Sequence, residues 1–140
     1  MDVSPIVARL QAQVQDVMAV GAAAELDAAM RGHARPPAVY VMPGIEKNVS
    51  GIEGAGCSAG TLQTVSVITV VDELGDATGG GALKGLPAIR RQILAALGGW
   101  TPDERLADPM AFLQGELIQF EGDGLLWWSD EYVCIRYGGF

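Results

Sequence analysis

Apolar residues recur at helical spacing at the start of the chain and again past its middle. Ser4-Pro5 is a typical helix start, because Ser can cap free amides and Pro tolerates the first helical position. The first stripe consists of Ile6, Val7, Leu10, Val14 and Val17. The second stripe lies in a helix predicted over Ala82–Leu97 and consists of Leu83, Leu86, Ile89, Ile93 and Leu97. A shorter helical piece is predicted over Ala22–Met30.

The segments between and after these helices alternate apolar and polar residues, as strands do. Short strand patterns cover Ala38–Met42 and Thr61–Val71, and the glycine-rich segment Pro43–Gly60 between them is predicted as a long loop. Two further runs, Phe112–Glu121 and Leu125–Tyr137, flank Gly122-Asp123-Gly124, which is a strong turn signal. The second pair of runs therefore predicts a hairpin.

The resulting order is α, (α), β, β, α, β, β, which is typical of an α+β fold. We expect one domain over residues 1–140, with a mixed or antiparallel sheet of about four strands and the helices packed on one face. At 140 residues, the chain is long enough to bury one core without a metal or a disulfide.

Trp127-Trp128 is the most unusual pair in the last strand. Successive side chains on a strand point to opposite faces, so one indole can enter the core while the other faces outward. An outward Trp is typical of a protein interface, since it combines a large apolar area with one polar group. The alternative is that a helix of the same chain covers it. We therefore regard Trp127 and Trp128 as candidate subunit-interface residues.

Composition narrows the classes of function. Hydrophobic residues make up 49% of the chain and charged residues 19%, so a folded protein is expected. The net charge of -8 disfavours generic binding to nucleic acid, because acidic surfaces repel phosphate, and only nine Lys and Arg are available for a local basic patch. No apolar run approaches the ~20 residues that span a bilayer, and the N-terminus lacks the pattern of a signal peptide. We expect a protein made in a reducing cytoplasm and without a membrane partner.

Catalytic and cofactor-binding patterns are absent. The one histidine, His33, has neither cysteine nearby in sequence, so no metal site is predicted. The glycines before Lys84 do not have the spacing of a phosphate-binding loop. The three acidic pairs, interpreted as solvated charges, are Asp72-Glu73, Asp103-Glu104 and Asp130-Glu131. We predict no cofactor, no metal and no enzymatic activity; a small enzyme of unknown type remains the alternative from another class.

Several short motifs occur in a characteristic order over nearly the whole chain. They are Ser4-Pro5-Ile6, Pro37 to Pro43, Val65-x-Val67-x-x-Val70-Val71, Asp76-Ala77, Ala82-Leu83, Ile89-Arg90, Leu97 to Pro102, and Gly124-x-Leu126-Trp127-Trp128-x-Asp130-x-Tyr132. In this order and spacing, the sequence resembles the tail terminator, or tail completion, proteins of Mu-like phages and prophages.

The resemblance implies a structural role. Tail terminators form a ring, usually a hexamer, that caps the head-proximal end of the tail tube, ends tube polymerisation and contacts head-completion proteins. The implied partners are copies of the same chain, the tube protein and a neck protein, first in the host cytoplasm and then in the virion tail. Other neck or head–tail connector proteins, and subunits of phage-derived secretion or tailocin-like machines, remain alternative assignments.

DNA has to pass through such a ring without binding to it. An acidic lumen would repel phosphate and prevent sticking, which suits the net charge of -8. We therefore expect part of the set formed by Asp72, Glu73, Asp76 and the segment from Glu46 to Glu53 to line or border the channel.

Overall fold

A computed structural model describes residues 2–48, 60–72, 80–103, 107–120 and 124–137. The helices are α1 (Ser4–Gln13), α2 (Ala23–Ala28) with a π-helical segment directly after it (Ala29–His33), and α3 (Gly80–Leu97). The strands are β1 (Ala19–Gly21), β2 (Ala38–Asn48), β3 (Gly60–Asp72), β4 (Ala111–Phe120) and β5 (Leu125–Tyr137).

The five strands form one mixed sheet in the order β1-β2-β3-β5-β4. β1 runs parallel to β2, and all other neighbours are antiparallel. This arrangement confirms the α+β class and the mixed sheet. The sheet has five strands rather than about four, because β1 contains only three residues and is too short to show an alternating pattern.

Both faces of the sheet are covered by helix. One face packs against α1 and α3, through residues such as Ile6 and Ile93, and its strand residues include Val39, Val67 and Tyr132. Alternate strand residues form a smaller cluster with Leu26 and Ala29, namely Ala38, Tyr40, Val70 and Trp127. The predicted helical layer on one face thus consists of α1 and α3, while α2 packs with residues of the opposite face.

The boundary of the predicted loop at Pro43 is wrong. β2 continues through Pro43 to Asn48, paired with β3 along its length, with a register shift between Pro43 and Glu46. Proline is tolerated in a strand at such an irregularity because no ladder hydrogen bond is required of its nitrogen. The rest of the predicted loop, residues 49–59, lies outside the described part of the chain.

The predicted hairpin is confirmed. β4 pairs with β5 in antiparallel register, and Gly124, at the end of the turn, has a positive φ of 93° that favours glycine. β4 forms the outer edge of the sheet beyond β5, and its register shifts twice, between Phe112 and Gln114 and between Leu117 and Gln119. Among the described residues, no helix is long and apolar enough to cross a membrane.

Candidate functional site

A groove separates helix α3 from edge strand β4 on the face that carries α1 and α3. Its volume is about 460 Å³. The α3 side presents two apolar residues, Pro87 and Leu94, on either side of Arg90 and Arg91, and Phe112 contributes the aromatic wall on the β4 side. The residues that line the groove are Pro87, Arg90, Arg91, Leu94, Phe112, Asp130 and Tyr132.

A buried ion pair forms the floor of the groove. Arg90 of α3 donates from Nε to Oδ2 of Asp130 at 3.0 Å and from Nη2 to Oδ1 at 2.8 Å. The side chain of Asp130 is 2% exposed, and that of Arg90 is 33% exposed. A carboxylate removed from water to this degree requires a charged partner, and the two-point contact supplies one in a fixed geometry.

Trp128 completes this network. Its Nε1 donates to Asp130 Oδ1 at 3.0 Å, and the Arg90 guanidinium lies 4.7 Å from the centre of its ring. The stacking is a cation–π interaction, which adds to the hydrogen bonds. Because Trp128 and Asp130 lie two residues apart on β5, their side chains share one face, and α3 brings Arg90 onto both. The network therefore fixes α3 against the sheet.

Arg90 and the neighbouring Tyr132 both have raised pKa values. The hydrogen bonds that Arg90 donates to Asp130 raise the pKa of Arg90, which stays cationic at every physiological pH. Burial, and secondly the charge of Asp130, raises the pKa of Tyr132 to about 12, so its hydroxyl stays neutral. A permanent cation and a phenol of this pKa do not suit proton transfer near neutral pH. The arrangement serves packing and positioning.

Gly115 of β4 lies directly over the network. A Cβ at this position would collide with Asp130 Oδ1 and would lie 3.0 Å from both Arg90 Nη2 and Trp128 Nε1. The absence of a side chain thus allows the β4 backbone to approach the ion pair closely.

Replacing Gly115 with Ala is expected to lower the free energy of unfolding by about 1–3 kcal/mol, as in other overpacked sites. Gly85→Ala in α3 is the matched control, because a Cβ there meets no atom within 4 Å and alanine favours a helix. Urea unfolding, monitored by circular dichroism, measures the free energy of unfolding of both variants. Equal effects of the two substitutions would contradict the close-packing role of Gly115.

The structure separates the two candidate interface tryptophans. Trp127 is 4% exposed and belongs to the cluster around Tyr40 and Val70, and its Nε1 has no hydrogen-bond partner among the described residues. Trp128 is half-buried against the opposite, larger cluster, where Arg90 covers part of its ring. Within one subunit, neither indole lies fully open to solvent.

The two candidate channel residues that the structure describes, Glu46 and Asp72, lie far apart. Glu46 on β2 and Asp72 at the end of β3 are both exposed. Glu46 pairs with Gln63, which lies nine residues before Asp72 along β3, so the two carboxylates are roughly 30 Å apart at the usual rise of a strand. Glu53, Glu73 and Asp76 lie outside the described residues.

The interpretation of Asp130 as a solvated charge is wrong, because the residue is 1% exposed and salt-bridged. Sequence reasoning also did not identify Arg90 or Gly115 as site residues. One signal was available for Asp130: in Trp128-x-Asp130-x-Tyr132 the alternation places the carboxylate on the same face as two large aromatic residues. This pattern does not indicate which helix supplies the cationic partner of Asp130.

Metal-binding and thiol chemistry find no support in the part of the chain that the structure describes. There, no group of three or more His, Cys, Asp or Glu side chains lies close enough together to hold a metal ion. Cys134 is buried, and burial raises the pKa of its thiol, which makes it a weak nucleophile.

The informative comparison with known proteins is the match to a family model. The family model "Phage tail terminator protein" matches residues 1–136. A chain in the structure "Virion of native gene transfer agent (GTA) particle" aligns with a TM-score of 0.48 and 20% identity, covering 79% of this chain and 84% of that chain. No curated protein matched. Because the family model covers nearly the whole sequence, this chain belongs to the phage tail terminator family and is a structural protein of the phage tail.

Proposed function

We propose that this chain assembles into a ring, as a hexamer, that caps the head-proximal end of the tail tube. The ring ends tube polymerisation and presents a surface on which the head-completion or neck protein docks. Assembly takes place in the host cytoplasm before the ring becomes part of the virion tail. Family membership supports this proposal.

The observation that carries the proposal is the exposure of β4. Every residue from Ala111 to Gln119 is exposed, including Phe112, Leu113, Leu117 and Ile118, whose exposed fractions lie between 44% and 52%. In a monomeric protein, a long apolar edge strand promotes pairing and aggregation with other chains. Such an edge is expected in a subunit whose surface is covered by assembly.

The acidic character of the chain suits a conduit for DNA. We propose that Glu46, Glu53, Asp72, Glu73 and Asp76 line or border the channel, so that DNA passes without specific binding. Glu46 and Asp72 lie far apart along the sheet, so within one subunit they would face the lumen at different heights. A continuous acidic lining would then combine residues from several subunits.

The proposed function can be tested by growing tail tubes from purified tube protein with and without gold-labelled chain. The expected result in electron micrographs is label at one end of each tube and shorter tubes as the ratio of chain to tube protein rises. Unchanged tube growth, or label spread along the tubes, would contradict capping. A chain that binds head-completion protein but ignores tubes would indicate a connector instead.

A further inference from the structure

Among the described residues, seven of the nine large apolar side chains that remain exposed lie at the two edges of the sheet, and the other two are Ile45 of β2 and Tyr137 of β5. At one edge they are Leu94 of α3 and four residues of β4, which we call the β4 edge: Leu94, Phe112, Leu113, Leu117 and Ile118. These half-exposed side chains present on the order of 500 Å² of apolar surface, the size of patch that marks interaction sites. The central strand β3 contributes no exposed apolar side chain of this kind among its residues.

The opposite edge carries two exposed methionines. Met18 directly precedes β1 and is 67% exposed, and Met30 lies in the π-helical segment after α2 and is 63% exposed. α2 packs beside β1 and β2, so these residues lie on the β1 side of the sheet. Methionine adapts its shape to a partner more easily than branched side chains do. We call this surface, with Glu25 and Asp27 of α2, the β1 edge.

The charged side chains near the two edges are only partly matched. Beside the β4 edge, Arg91 of α3 and Glu116 of β4 are exposed, while Arg90 is paired with Asp130. α2, at the β1 edge, contains Glu25 and Asp27 and no basic residue. Asp27 pairs with Arg31, but both side chains are largely exposed, and such pairs contribute little. Both edges are therefore apolar, and the acidic residues of α2 complement the exposed cation Arg91 beside the β4 edge.

We propose that copies of this chain join head to tail, with the β4 edge of one copy covered by the β1 edge of the next. This inference rests on the proposed ring, because a closed ring of more than two copies needs two different, complementary surfaces on each subunit. β1 and β4 occupy the outer positions of the sheet, so each contact adds the next copy in the same direction.

Pairing of two β4 edges with each other is disfavoured by the irregular shape of β4. Its two register shifts interrupt the regular ladder that strand-to-strand pairing requires. A two-fold contact of this kind would in addition close at two copies and leave both β1 edges exposed.

The test uses two variants of the full chain. Leu113→Lys/Ile118→Lys disables the β4 edge, and Met18→Lys/Met30→Lys disables the β1 edge; each is expected to raise the dissociation constant of the subunit contact at least ~100-fold. Ala12→Lys is the control, because Ala12 is exposed on α1 outside both edges. Circular dichroism checks that all variants fold, and native mass spectrometry and analytical ultracentrifugation measure the assembly state over a concentration series.

The expected outcome is a ring for the wild-type chain and the Ala12 variant, and monomers for each edge variant alone. An equal mixture of the two edge variants should give a heterodimer and nothing larger, since only one intact edge of each kind remains. Rings formed by either edge variant would overturn the inference while leaving the ring itself intact. Dimers of the β1-edge variant alone would indicate β4–β4 pairing instead.

A wild-type chain that stays monomeric throughout the concentration series would also overturn the edge pairing. The tube-capping experiment then decides separately whether the proposed function stands, because it does not depend on association in free solution.

Discussion

Arg90→Met is expected to lower the free energy of unfolding by about 3 kcal/mol. The substitution leaves the Asp130 carboxylate, 2% exposed, without its cationic partner, and breaking a buried pair in this way costs about 3–5 kcal/mol. The lower end applies because Trp128 Nε1 still donates to Asp130. Urea unfolding at neutral pH, monitored by tryptophan fluorescence and circular dichroism, measures the change.

Arg91→Met is the matched control for this experiment. Arg91 is the next residue of the same helix, it is exposed, and its Nε donates to the Pro87 carbonyl oxygen at 3.4 Å. Surface substitutions of this kind change stability by less than about 0.5 kcal/mol. A similar loss in both variants would show that helix propensity or net charge, and not the buried pair, causes the effect.

A double-mutant cycle isolates the interaction between Arg90 and Asp130. Asp130→Asn alone is expected to cost less than Arg90→Met, about 1–2 kcal/mol, because it leaves Arg90 with one third of its side chain already in water. Arg90→Met combined with Asp130→Asn should cost clearly less than the sum of the single substitutions, since residues in one network are not additive. Additive losses would mean that the two side chains stabilise the fold independently.

Trp127→Ala is expected to lower the free energy of unfolding by about 3–5 kcal/mol, the usual cost of removing a buried large aromatic side chain. Trp127 is 4% exposed and fills the cluster that holds α2 to the sheet. Trp127→Phe should cost far less, because the indole Nε1 has no hydrogen-bond partner among the described residues to lose. Equal losses for Ala and Phe would show that the indole nitrogen has a structural role.

Trp128 provides the contrast within the same strand. Trp128→Phe keeps an aromatic ring beneath Arg90 but removes the hydrogen bond to Asp130, so the comparison with Trp127→Phe separates a polar role from a packing role. If a subunit contact lies on this face, Trp128→Ala should also weaken the ring, whereas Trp127→Ala should act by unfolding the monomer. If both substitutions only unfold the monomer, the subunit contact lies elsewhere.

Most of the regular structure of this chain could be predicted from local patterns. The helical stripe through Ile6 and Leu10, the alternation in β3 and the hairpin turn before Leu125 all depend on near neighbours in sequence, so the sequence alone indicated them. β1 and the outer half of β2 were not predicted. Three residues are too few to show a period, and Pro43 suggests a loop unless the neighbouring strand is known.

The tertiary structure decided the chemistry of the site. The chain itself determines that Trp127 and Trp128 face opposite sides of a strand and that Asp130 shares a face with Trp128. Only the packing of α3, 40 positions earlier, places Arg90 on that aspartate, and only the pairing of β4 with β5 requires glycine at position 115.

For the assembly surfaces, too, the sequence determined some features and the tertiary structure decided others. The sequence by itself determined the α+β class, the acidic balance and the family resemblance, because these follow from composition and from short-range order. Which apolar residues remain exposed was decided by strand order, since β1 and β4 become edges only when β2, β3 and β5 occupy the centre. Strand order depends on contacts between distant segments, and no local pattern encodes it.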